Sequence, residues 1–128
     1  MTDQASAHGT PTQPPRHVKR ILLKISGESL GDDHGGVAPN VVATVAQQIA
    51  RVHRLGVEVA VVCGGGNLLR GAEFAKLGTN RATADHMGML ATAINALALQ
   101  DGIERAGIET RVACAVEVKT MKIGRAHG

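Results

Sequence analysis

The stretch VEVAVVCGGGNLLRG, residues 57–71, constrains the chain more than any other. A short, nearly continuous apolar β-branched run reads as a central strand covered on both faces, and it leads directly into three glycines. Three missing β-carbons let main-chain NH groups approach an oxyanion and form a concave nest. A helix is expected to begin near Asn67, just after them. The question is what comes so close to the backbone here.

The flanking segments place this strand in an alternating order. HVKRILLKI, from His17, is a first strand with a basic entry, and SGESLGDDHGG after it is a glycine-rich loop. Val42, Val45, Ala46, Ile49 and Val52 then recur at spacings of three and four. Pro39 sits where a first helical turn tolerates it, and Gly56 where a helix ends, which gives an amphipathic helix. A longer helix is expected from Arg81 to Ala106. Its apolar stripe is Met87, Leu90, Ile94 and Leu97, assigned to the core in preference to a subunit interface, and its alanines at 91, 93, 96 and 98 allow close packing. Gly107 ends that helix, and IETRVACAVEV reads as a third strand. Strand, helix, strand, helix, helix, strand is the order of a parallel α/β sheet.

Composition narrows the possible functions. Phe74 is the only aromatic residue of the Phe, Trp and Tyr set, and the 44% apolar content is aliphatic. The formal charge of +3 comes from Lys119, Lys122 and Arg125 near the end; elsewhere acids and bases balance and intersperse. No clustered basic patch and no stacking aromatics leave no basis for nucleic-acid or membrane binding. Cys63 and Cys114 lack ligand spacing and read as buried free thiols of a reducing compartment, and no histidine pair has a metal-binding offset. Residues 1–16 hold three of the four prolines and no apolar leader, and are expected to be a disordered extension. No window reaches membrane-spanning length, so a cytoplasmic location is expected.

In open parallel sheets, ligands bind beyond the carboxyl ends of strands, where NH groups and the dipole of the following helix favour anions. Two loops here have that position. One holds Lys24, Ser26, Gly27 and Glu28; the other is CGGGN, with Arg70 beyond it. Neither fits the Walker pattern. Together they favour a phosphate-rich ligand lying across both, as a phosphoryl donor and acceptor would.

RILLKISGESL, VAVVCGGGNLLRG, NRATADHMGML and NALALQD resemble, in order, the amino-terminal half of the bacterial UMP kinase family, within the amino acid kinase superfamily. The resemblance runs from about residue 18 to Met121. It implies a three-layer α/β/α sandwich with a mainly parallel sheet, here truncated, and ATP-dependent phosphoryl transfer to UMP with Mg²⁺ accompanying ATP. Carried over by matching position, Lys24, Ile25, Ser26 and Gly27 resemble the ATP phosphate loop, with Lys24 as the catalytic cation. Gly66 and Arg70 match further ATP-binding positions, and Gly65 and Asp85 match UMP-binding positions. A homo-hexamer with GTP as effector is implied as well, the Gly31–Gly36 loop matching the effector region in composition. The R-x-x-x-D-x-M-G-M-L segment favours UMP over the carboxylate or carbamate acceptors of related kinases, and a non-catalytic nucleotide-binding module is the remaining alternative. The family pattern continues well beyond Met121, so residues 17–121 are expected to be the first part of the domain and to be inactive alone. KIGRAHG, residues 122–128, departs from that pattern and reads as a non-family tail; its codons can be written as a sequencing-library adapter.

Overall fold

In the strand segments apolar residues alternate on one face, and the computed structural model, which describes residues 17–114, pairs them accordingly. Strand β1, Arg20–Ile25, lies parallel to β2, Glu58–Cys63, in the register Arg20↔Glu58 through Ile25↔Cys63. Ile21, Leu23, Ile25, Val59, Val61 and Cys63 turn to one face and are half-buried, while Leu22, Lys24 and Val62 turn to the other. A 3₁₀ turn, Gly27–Leu30, leaves β1, and helix α1, Pro39–Arg54, makes the crossover to β2.

Helix α1 starts where Pro39 supplies a preset φ and needs no hydrogen-bond partner for its missing NH. Arg51, His53 and Arg54 occupy its last turn, at the negative end of the dipole. Gly56, at φ 92°, turns the chain out of the helix. Two further helices follow β2: the short α2, Gly71–Lys76, and the long α3, Arg81–Arg105. Asn80 caps α3, its Oδ1 accepting from the amides of Ala82 at 2.9 Å and Thr83 at 3.3 Å. The Arg54 guanidinium donates to the Ala106 carbonyl, joining the carboxyl ends of α1 and α3.

The core lies between the odd-numbered sheet face and these two helices. Leu30, Val42, Ala46, Ile49, Leu99 and Ile103 form its buried centre, with Leu23, Ile25, Val59 and Val61 packed against it. Leu30 is fully buried although it belongs to a turn, so the loop after β1 is anchored by its own apolar side chain.

Four expectations are corrected. The sheet is covered on one face only among the described residues: Leu22 is 68% exposed and Val62 53%. No third strand forms within them either; Val112 makes a single bridge, and the rest of the expected strand lies outside the described residues, as do residues 1–16 and the 122–128 tail. The helix after the glycines begins at Gly71 and not at Asn67, because Leu68 and Leu69 fold back on the Gly65 carbonyl and Arg70 is extended. On α3 the inward face carries Ala84, Ala91, Asn95 and Leu99, while Leu90 and Ile94 of the expected stripe are 43% and 52% exposed. The small Ala91 faces inward because the backbone of Gly65 lies against it, while Leu99 and Ile103 farther along meet the core.

The Leu30 contacts yield a stability expectation. Leu30→Ala should destabilise the fold by about 2–5 kcal/mol, the range for emptying a buried leucine site. Urea unfolding followed by circular dichroism measures this, and an unchanged midpoint would show that the turn does not support the core.

Candidate functional site

The register Ile25↔Cys63 brings the two strands to an end together, so the loops that follow them start side by side. The Gly64 amide donates to the Ile25 carbonyl at 3.0 Å, extending the ladder into the loops. A β-carbon on Gly27 would lie 2.7 Å from the Gly66 nitrogen and 3.0 Å from the Gly64 oxygen, so a side chain there would drive the loops apart. One on Gly65 would lie 2.7 Å from the Ala91 Cβ of α3. At these two positions what comes close to the glycine is the protein's own backbone and helix. Gly64, Gly65 and Gly66 all lack the positive φ that a nest needs, so the loop does not form the concave nest expected. The helix that follows is also too short and too late to aim a dipole at it.

A pair of amides holds the arrangement. Asn95, fully buried on α3, donates from Nδ2 to the Gly64 carbonyl and to Asn67 Oδ1, both at 2.7 Å. Asn67 donates from its own Nδ2 to the Gly36 carbonyl at 2.8 Å and to Asn95 Oδ1 at 3.1 Å. The Gly36 amide returns a bond to the Asn67 carbonyl at 3.3 Å. The glycine loop, α3 and the Gly31–Gly36 loop are thereby fastened at one point. Sequence reading did not single out Asn95. Its signal was a polar amide inside an otherwise apolar helical run, INALAL.

The amides of Gly65, Gly66 and Asn67 find no acceptor among the described residues. Lys24 stands exposed on the open sheet face, opposite Val62 in the register, with no acidic partner among the described residues. Arg70 reaches back over the glycine loop to the Glu28 carboxylate. Ile25 points into the core, so it contributes backbone only, and the Ser26 hydroxyl lies 2.9 Å from that of Ser29.

Asp85 is set apart from this cluster. It is exposed on the first turns of α3, its carboxylate 3.8 Å from Arg81, and it lines an open cleft of about 770 Å³ between α2 and α3 with Lys76, Gly88, Met89 and Thr92. Thr92, at the other end, touches the glycine loop: a Gly65 β-carbon would lie 3.1 Å from its amide nitrogen. Its carbonyl accepts from Cys63 Sγ at 3.9 Å. Burial pushes the Cys63 thiol above its ordinary pKa; both cysteines are free and half-buried, less enclosed than expected. The structure thus joins Gly27, Gly65, Gly66 and, through Glu28, Arg70 in one place, with Lys24 at the end of β1 on the open sheet face, and puts Asp85 in a separate cleft whose Thr92 packs against Gly65.

Residues 19–126 match the model of the amino acid kinase family. The chain belongs to that family. Among curated relatives of this amino acid kinase family chain, the uridylate kinase of Dichelobacter nodosus (strain VCS1703A) is 50% identical over 108 residues, covering 84% of this chain and 45% of the relative. A crystal structure of UMP kinase from Ureaplasma parvum superposes with a TM-score of 0.76 at 32% identity, covering 87% of this chain and 47% of that one. The UMP kinase from Bacillus anthracis gives 0.66 at 35% identity, covering 76% and 40%. The amino acid kinase chain described here therefore spans less than half the length of each, with the α/β fold expected from its sequence.

The amide pair gives a direct expectation. Asn95→Leu keeps the γ-branched shape but leaves the Gly64 carbonyl and the Asn67 Oδ1 without the donor they share, at about 1–3 kcal/mol for each buried group. A double-mutant cycle of Asn95→Leu with Asn67→Ala, read by chemical denaturation, should show strong coupling. Additive effects would mean that the two amides do not act as one clasp.

Proposed function

We propose that the complete protein transfers the γ-phosphoryl group of ATP to UMP, giving UDP for pyrimidine nucleotide synthesis, and that these residues supply its two phosphate-binding loops. One observation carries the reading: an amide pair buried at Asn95 fixes adjoining glycine loops whose NH groups find no acceptor among the described residues, with Arg70 reaching Glu28 beside them and Lys24 exposed at the end of β1. Phosphoryl transfer asks the protein for position and for neutralised charge, and amides plus cations meet both needs.

Lys24 is assigned to the charge that develops on the moving phosphoryl group. The backbone of Ile25, Ser26 and Gly27 faces the ATP phosphates, together with Gly66 and Arg70. Gly65 and Asp85 belong to UMP. Asp85 lies seven positions before Thr92 on α3, about two turns or 10 Å from the glycine loop. That separation suits a nucleotide with its phosphate at Gly65 and its ribose hydroxyls donating to the carboxylate. Mg²⁺ would arrive with ATP and neutralise its phosphates.

The same reading extends to assembly and control. The exposed Leu90 and Ile94 give α3 an apolar outer face suited to subunit contact in a homo-hexamer. The Asn67 to Gly36 bond gives the Gly31–Gly36 loop a mechanical link to the glycine loop, by which GTP would act. No helix among the described residues is long and apolar enough to cross a membrane, and we place the protein in the cytoplasm. Turnover is assigned to a chain carrying the remaining family length, not to these 128 residues alone.

Grafting residues 19–114 in place of the matching segment of the Dichelobacter nodosus uridylate kinase tests the assignment by coupled ADP release. UMP-dependent turnover is expected. Lys24→Ala should lower kcat by about 100-fold or more, as removal of a transition-state charge donor does. Asp85→Ala should raise the KM for UMP and leave that for ATP in place. A folded chimera that ignores UMP, or that phosphorylates a carboxylate or carbamate instead, would overturn the proposal.

A further inference from the structure

Glu28 has no role in the scheme above, yet its side chain lies inside the site. It follows Gly27 in the 3₁₀ turn, and its carboxylate reaches across to the Arg70 guanidinium. The same carboxylate lies over the glycine loop: a β-carbon on Gly66 would be 2.8 Å from Glu28 Oε2 and 3.0 Å from Oε1. An anionic group thus already stands between the site's arginine and the loop whose amides lack acceptors.

A carboxylate and a phosphoryl group present the same kind of oxygen pair to a guanidinium fork, so they compete for it. Both partners of the Glu28–Arg70 pair are about half exposed, and pairs of that kind are weak because water screens them. A phosphate on the Gly65 and Gly66 amides would also meet the carboxylate as a like charge at close range. Resting on the phosphate-seat reading, we propose that Glu28 is an internal counter-ion, which fills the seat and holds Arg70 when no ligand is bound and must swing out when a phosphate enters. It makes the seat selective: a multiply charged phosphate displaces the carboxylate, and a weak monoanion does not. Glu28 is a specificity-determining residue that touches neither the moving phosphoryl group nor the nucleoside.

Calorimetric titration of the 128-residue chain with inorganic pyrophosphate tests this without any nucleotide. Glu28→Gln keeps the shape and removes the charge. It should bind pyrophosphate about fivefold tighter than the unsubstituted chain, the fold-change equivalent to an ion pair of about 1 kcal/mol. Acetate, too weak to displace Glu28, should gain measurable binding only in the variant. In an Arg70→Gln background the Glu28→Gln gain should shrink below about twofold, since the arginine is what the two anions contest. Circular dichroism melts confirm that each variant is folded, and Glu28→Ala provides a second charge removal if the glutamine variant is not. Pyrophosphate binding to the unsubstituted chain with equal or weaker binding to the folded variants would overturn the counter-ion role alone. Absence of pyrophosphate binding from every folded form would overturn the phosphate seat and this proposal with it.

Discussion

The reciprocal hydrogen bonds between Asn67 and Asn95 are the constraint on which the rest of the site depends. A run of three glycines loses more conformational entropy on ordering than any other tripeptide, and nothing in its own side chains can fix it. Asn95 supplies the missing restraint from a rigid helix, binding the Gly64 carbonyl on one side and the Asn67 amide on the other. Because the pair is fully enclosed at Asn95, a half-made network would leave buried polar groups unpaired, which makes the arrangement all-or-none.

This restraint explains the packing around it. For α3 to reach the loop, the contact must be small on both sides, and Ala91 and Gly65 meet that need; the larger Leu90 and Ile94 are left outside. The parallel register then aligns the first loop with the second, and Gly27 removes the side chain that would separate them. Leu30 secures the far end of that first loop in the core. The outcome is a pair of loops held together by packing and hydrogen bonds, with amides that find no acceptor among the described residues and with Arg70 paired to Glu28 across them. Asp85 owes its place to the same helix, since α3 carries both the clasp and the acid and so sets their separation.

Much of this was legible from local pattern. The two strands, the start of α1 at Pro39, its end before Gly56 and the span of α3 follow from periodicity and from residues with restricted or special φ, which act over a few positions. The adjacency of the two loops followed from parallel pairing. The inward face of α3 did not follow, because a stripe read by side-chain size marks the large residues, and here the contact demanded small ones. Asn67 and Asn95 stand 28 positions apart, and no short-range rule pairs them. The late onset of α2 has the same cause: Asn67 is drawn into the clasp instead of opening a helix. The glycines themselves were correctly read as sites of close approach, but at Gly27 and Gly65 what approaches is the protein.

The central claim is that the two loops form a single seat, and residue-resolved NMR of the 128-residue chain during a pyrophosphate titration tests it most directly. The account predicts that the amide resonances of Gly27, Glu28, Gly65, Gly66 and Asn67 move together along one binding curve. Shifts confined to one loop, or two loops that titrate with different midpoints, would contradict it.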